Sequence, residues 1–366
     1  MTHKTRRTGF AAGLAIAARS LTIVTMLSHP AGSSADENVR SALITAERSP
    51  GSPRLWFAPG KTPLLTWATA PRPDPPNSHF YVSERYGVPL KTTLSQGAIR
   101  YIGVFAADPS SASDYDLITS PSGQPWSAST YSHVSEHSRE SYGRLLLYAV
   151  EFELNAPRAI VDLMHPAPIT PDVLVDFPEF RKNTHGATEI RLLAGAQSTP
   201  WVVGTTRKEP REVFLVRSKE GKWLAPQVLA SGEHPAPVRD RATRYQILYQ
   251  TRAGISRILS RDGEVWSKPT AVPAAEGGRQ PAVTFGAGRL WLVWSAGGEA
   301  SADLCLASSN DDGATWTTPR QLTSGKAADS EPSILVDKEN TVWVAFIRRD
   351  DDKKALWTMH FPAAQQ

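Results

Sequence analysis

The sequence of 366 residues holds one cysteine and four methionines. A single thiol, Cys305, excludes an internal disulfide framework and any multi-cysteine zinc centre. Within Leu304-Cys305-Leu306 it reads as a small core residue. Beyond residue 35 no apolar run approaches the roughly 20 residues a spanning helix needs, so no membrane span is expected in the mature chain. Helical periodicity is scarce too: from about residue 50 the apolar residues fall in short alternating runs. Tyrosine is missing from the end, since none of the nine follows Tyr249. What is plentiful is proline (29), glycine (25) and tryptophan (11), a balance that suits short strands joined by tight turns. With 40% hydrophobic and 21% charged residues, wholesale disorder is excluded.

The formal charge of +4 at first suggests an acidic partner. Its location removes that inference. Residues 1–35 carry Lys4, Arg6, Arg7 and Arg19 with no acid, which is the whole of the excess. A basic start, the apolar runs Phe10–Ala18 and Leu21–Leu27, and small residues at Ser33-Ser34-Ala35 have the layout of an export signal. Arg6-Arg7 adds a twin-arginine pair. The expected organisation is a signal at 1–35, a mature N-terminal segment at 36–50, and one domain at 51–366. The protein is then periplasmic or extracellular, without a nucleic-acid partner.

Two stretches align almost without gaps. Pro281-Ala282-Val283-Thr284-Phe285 leads through a glycine turn to Leu290-Trp291-Leu292-Val293-Trp294. Pro332-Ser333-Ile334-Leu335-Val336 leads through Asp337–Asn340 to Val342-Trp343-Val344-Ala345-Phe346, 51 positions later. A weaker copy, Pro53-Arg54-Leu55-Trp56-Phe57 with Leu64-Leu65-Thr66-Trp67, opens the domain. Each reads as strand, hairpin, strand, and such a period in an all-strand chain implies stacked or radial repeats. A second marker is Ser309-Asn310-Asp311-Asp312-Gly313-Ala314-Thr315-Trp316. Shortened relatives begin at Ser260 (with Asp262, Gly263 and Trp266), Ser218 and Ser120, and a decayed one spans Ser83–Gly87. Asp accepts backbone N–H bonds, Gly supplies a positive φ, and Trp is an apolar wedge.

These turns resemble the Asp-boxes, or BNR repeats, of sialidase-like β-propellers. The resemblance implies an all-β propeller of four-stranded blades. Units can be drawn near 51–95, 96–132, 133–180, 185–230, 231–274, 278–325 and 329–362, so six blades are favoured and seven permitted. A strand near Ser41–Ala46 would complete the last sheet. Asp311, Asp262 and their tryptophans are structural in this reading. Sialidases grip a substrate carboxylate with three arginines, which match it by charge-assisted bonds. They add an Asp acid/base and a Tyr nucleophile, an exception to the usual carboxylate pair. The positions that could match are Arg54, Arg72 and Arg279 for the clamp and Asp74 for the acid. The family motif Arg-Ile-Pro is Pro-Arg-Leu here, and the late nucleophilic Tyr has no counterpart. The function implied is binding of a carbohydrate or glycoconjugate on the central face, with an envelope or extracellular protein as another partner. The alternative is an exo-sialidase or other glycoside hydrolase acting on terminal acidic sugars.

Other motifs are weaker. His133-Val134-Ser135-Glu136-His137 fits a zinc-binding helix pattern, but its neighbours do not make a helix. Asn310–Gly313 has the outline of a calcium loop with Ser308 and Pro319 at acidic positions. Asp350–Lys354 reads as a solvated hairpin. No metal or cofactor is expected.

Overall fold

The computed structural model describes residues 39–46, 50–58, 62–68, 81–83, 85–89, 100–101, 104–106, 114–134, 141–149, 187–195, 199–206, 209–219 and 222–365. All are strand, turn or loop apart from a terminal 3-10 turn, Ala363–Gln365. Residues 1–35, where an export signal is expected, and Arg72 and Asp74 lie outside these residues.

Six antiparallel sheets of three or four strands follow one another among the described residues. The first runs Gly51–Ala58, Thr62–Ala68, Arg85–Pro89, Arg100–Tyr101. The second holds Tyr115–Thr119, Pro125–Val134 and Ser141–Ala149. The third comprises Ala187–Leu193, Trp201–Thr206, Glu212–Val216 and Gln227–Ser231. The fourth comprises Glu233–Arg239, Tyr245–Thr251, Gly254–Ser260 and Thr270–Glu276. The fifth comprises Arg279–Gly286, Arg289–Ala296, Asp303–Ser309 and Arg320–Gln321. The sixth joins Ala328–Val336, Thr341–Asp350 and Lys353–Pro362 to the N-terminal strand Arg40–Thr45, whose Arg40 lies opposite His360.

Alternation explains how these sheets stack. In the fifth, Trp291 and Val293 face one side while Leu290, Leu292 and Trp294 face the other. The first side packs against Ile334, Val344 and Phe346 of the sixth sheet. The second packs against Val238, Leu248 and Ile255 of the fourth. Further cores join the second sheet to the third, the third to the fourth, and the sixth to the first. The opening strands also touch in sequence, and Gly51–Ala58 lies against Ala328–Val336.

The turn Ser309–Trp316 connects the third and fourth strands of its sheet, as does Ser260–Trp266. Asp311 Oδ1 accepts the Thr315 N–H at 2.8 Å, and Ser309 Oγ accepts the Gly313 N–H at 2.7 Å. Asp262 Oδ1 likewise takes the N–H groups of Glu264 and Val265. Gly313 and Gly263 have φ of 84° and 77°, which L side chains rarely adopt. The sequence expectation differs at two other places. Ser120–Trp126 joins the first and second strands of its sheet, and Arg85–Gly87 lies within a strand. Their short Ser/Gly patterns serve other local geometries. The boundary drawn at 132/133 also cuts Pro125–Val134, which pairs continuously with Ser141–Ala149.

Candidate functional site

Five of the six opening strands begin with the same irregularity. Ser52, Glu189, His234, Gln280 and Glu331 have φ of 47–52°, each within a break of pairing register. A left-handed non-glycine residue costs on the order of 1 kcal/mol, and such strain is retained where the surroundings hold it. Proline follows four of the five, and lacking an N–H it forfeits no ladder donor at the bulge. The exposed N–H of the bulged residue is then satisfied by a side chain of a neighbouring sheet. Gln250 Oε1 accepts from Gln280, Gln280 Oε1 from Glu331, Glu331 Oε2 from Ser52, and Glu189 Oε2 from His234, at 2.5–3.0 Å.

These bulges surround a cavity of about 330 Å³. Ser52, Glu189, His234, Gln280 and Glu331 line it with Asp114, Thr188, Arg54 and Arg191. Two residues further along each strand, Arg54, Asp116, Arg191, Ala236, Ala282 and Ser333 line a deeper space of about 230 Å³.

Arg54 is the pivot between the tiers. It is 6% exposed, donates from Nη2 to Asp114 Oδ1 at 2.8 Å and from Nε to the Tyr115 carbonyl at 3.0 Å, and lies over the Tyr115 ring. Asp116 is 3.5 Å away. Asp114 also accepts from Arg191 Nη1 at 2.9 Å. Burial pushes the Asp114 carboxyl up, but Arg54 and Arg191 outweigh it and hold it below the usual carboxylate range. Burial dominates at Asp116 and raises it, although the Leu192 N–H donates to Oδ2 at 2.6 Å. Neighbouring carboxylic groups are thus driven in opposite directions.

The expected clamp is placed differently. Arg54 lies in the cavity wall, committed to Asp114. Arg279 starts a neighbouring strand, but its Nη2 donates to the Gly297 carbonyl at 2.7 Å and its charge faces Glu299. The bulge at Gln280 explains this, since Gln280 is the residue that lines the cavity. Arg72 and Asp74 are outside the described residues. Among the described residues the second guanidinium at the cavity is Arg191, which sequence reasoning missed. Aligning Ser52-Pro53-Arg54 with Glu189-Ile190-Arg191 would have found it. Tyr115, Tyr245 and Tyr249 are core residues, 0–3% exposed, and among the described side chains no tyrosine lines the cavity.

Ligand atoms of Glu189, Glu233 and His234 lie within 4.8 Å of one another. Arg211 already supplies their positive charge, 3.0 Å from Glu233 and 3.6 Å from Glu189, and His234 Nδ1 is 3.0 Å from Glu189. This is an ion-pair network with its cation built in. His133 and Val134 belong to a strand, contrary to a zinc-binding helix, and residues 135–137 are outside the described set.

No protein-family model matches the sequence, and no curated protein matches it either. Solved structures do. A protein of unknown function from Dyadobacter fermentans aligns over 89% of this chain and 100% of its own, at 13% identity and TM-score 0.60. Trypanosoma rangeli sialidase aligns over 86% of this chain at 11% identity and TM-score 0.57, and the match spans 55% of that longer chain. An α-L-arabinofuranosidase from Fusarium graminearum aligns over 87% of this chain and 94% of its own, at 10% identity and TM-score 0.54. The chain has a sialidase-like all-β fold.

Proposed function

We propose that this chain is an exported, six-bladed closed propeller that binds a carbohydrate or glycoconjugate in its central cavity. The observation that carries the reading is the ring of bulges. Strained backbone aims Ser52, Glu189, His234, Gln280 and Glu331 at one space of sugar-ring dimensions, walled by hydrogen-bonding groups. Ring closure is supported by the opening strands lying side by side and by Arg40–Thr45 completing the last sheet. The Ser-x-Asp-x-Gly-x-Thr-Trp turn, read as an Asp-box, fits the same architecture on a different part of the sheet. Likeness to a sialidase and an arabinofuranosidase supports a saccharide as ligand. Fold alone does not specify chemistry. A glycan array probed with the mature protein tests this reading. Saturable binding to defined glycans is expected; silence across the array removes it. The mass of the protein recovered from the culture medium tests export, with loss of residues 1–35 expected.

A second reading, hydrolysis of a glycosidic bond, is favoured by the opposed environments of Asp114 and Asp116. One carboxyl raised by burial beside another lowered by guanidinium groups is the kind of divergence that acid and base use in such chemistry. Its sialidase form with Arg54, Arg72, Arg279 and Asp74 would require Arg54 to leave Asp114 and Arg279 to leave Gly297. A fluorogenic glycoside panel tests the reading. Turnover lost in Asp116→Asn supports it, and turnover untouched by that change removes Asp116 from the mechanism.

A further inference from the structure

Among the described residues, more carboxylates than guanidinium groups line the two spaces. Arg54 and Arg191 are faced by four carboxylates that line the two tiers: Asp114, Asp116, Glu189 and Glu331. Both guanidinium groups are committed. Arg54 donates to Asp114 and to the Pro53 and Tyr115 carbonyls, and Arg191 donates to Asp114 and the Ile190 carbonyl. Glu189 has His234 and Arg211 beside it. Glu331 is different. Among the described residues no cation forms an ion pair with it within 4 Å, although the Arg54 charge is near enough to be felt, and one oxygen accepts the Ser52 N–H. The second oxygen belongs to a side chain that lines the cavity.

We infer that the cavity selects a saccharide carrying an ammonium or only hydroxyl groups, with Glu331 as the acceptor that recognises it, and rejects one carrying a carboxylate. This rests on the carbohydrate reading above and sharpens its ligand class. A sugar carboxylate entering here would meet the Glu331 charge and, among the described residues, only guanidinium groups already committed, because binding it would first require breaking the Arg54–Asp114 or Arg191–Asp114 pair. A sugar hydroxyl or ammonium donates to Glu331 without disturbing either pair, and charge assistance favours the ammonium. Opposite charge also discriminates between ligands of one size by attraction and repulsion together.

Titration calorimetry with chitosan oligosaccharides, N-acetylated chitooligosaccharides and 3'-sialyllactose tests the inference. Binding is expected to weaken in that order, with at least about tenfold between the first and the last, the change for one charge-assisted contact. Glu331→Gln keeps an oxygen for the Ser52 N–H, so the fold is retained while the charge is removed. In that variant the preference for the amino sugar should shrink to about threefold or less. A sialoside bound as well as or better than the amino sugar overturns the inference and leaves the carbohydrate reading standing. An unchanged preference in Glu331→Gln overturns the role of Glu331. Silence with every sugar overturns the inference and the carbohydrate reading together.

Discussion

Glu331 Oε2 accepts the backbone N–H of Ser52 at 2.5 Å, across 279 positions of sequence. One bond thus ties the opening strand of the last sheet to that of the first. The same relation joins Gln280 to Glu331 and Gln250 to Gln280, so the polar side chains around the cavity are also the joints between sheets.

Removing the acceptor separates these two roles. Glu331→Ala leaves the Ser52 N–H without its partner, and a cost of about 1–3 kcal/mol is expected. Glu331→Gln should stay close to the parent. Urea denaturation of the two variants checks this, and equal losses would show that the bond contributes nothing.

Arg54 is buried and holds the half-buried Asp114 and the buried Asp116, so its loss should be severe. Arg54→Met leaves Asp114 and Asp116 with only Arg191, and destabilisation of about 3–5 kcal/mol is expected. The double change Arg54→Met with Asp114→Asn should recover part of that, because one orphaned charge is gone. Thermal unfolding of both proteins decides. No recovery would mean that packing of Arg54 over Tyr115 outweighs its charge.

The Asp311 turn has a defined acid limit. Hydrogen bonds from the Thr315 side chain and backbone hold its carboxyl at about 2, against an ordinary 3.8. A depressed carboxyl contributes stability fully present above its unfolded value and lost as pH falls through the folded one. Protection of the Thr315 amide is therefore expected to persist at pH 4 and to fade as pH approaches about 2. Carbon-detected titration of Asp311 reads the value directly, and a midpoint near 3.8 would show that the turn bonds do not hold the charge.

The N-terminal strand should respond to acid. His360 stacks on Trp343 at 4.4 Å and lies opposite Arg40, and burial, together with the Arg40 charge, lowers its pKa. The neutral ring belongs to the folded state, so its contribution is present above the ordinary imidazole range, about 6.5, and is lost as pH falls through the lower folded value. Amide exchange at Ser41 and Leu43, corrected for intrinsic rate, should accelerate more between pH 7 and 5 than in a His360→Phe variant. Equal acceleration in both proteins would remove His360 from the effect.

Much of the architecture was legible in sequence because it repeats. Pro281 and Pro332 mark strand starts, and Trp291 and Trp343 mark the second strands. The stretches at Ser83 and Ser120 were not, since their Ser/Gly patterns share composition with the later turns but not their place in a sheet. The cavity was half legible. Arg54 sits at a repeat position that lines the cavity, yet Arg279 is displaced by the very bulge that aims Gln280 into it. A one-residue bulge flips the faces of a strand, and no alternating pattern shows where it falls. The paired proline does, once the left-handed residue before it is known. Arg191 lacked that proline and went unnoticed.

The proposed saccharide occupies the cavity ringed by the bulges, and Thr188 gives direct access to it. Thr188 lines the space and carries no charge, so Thr188→Trp should fill it without disturbing the ion pairs. Calorimetric titration of the parent and this variant, both with unchanged melting temperature, is the measurement. Saturable one-site saccharide binding in the parent and its loss in the variant is the expected result. Undiminished binding in Thr188→Trp would place the ligand elsewhere and contradict the central cavity as the site.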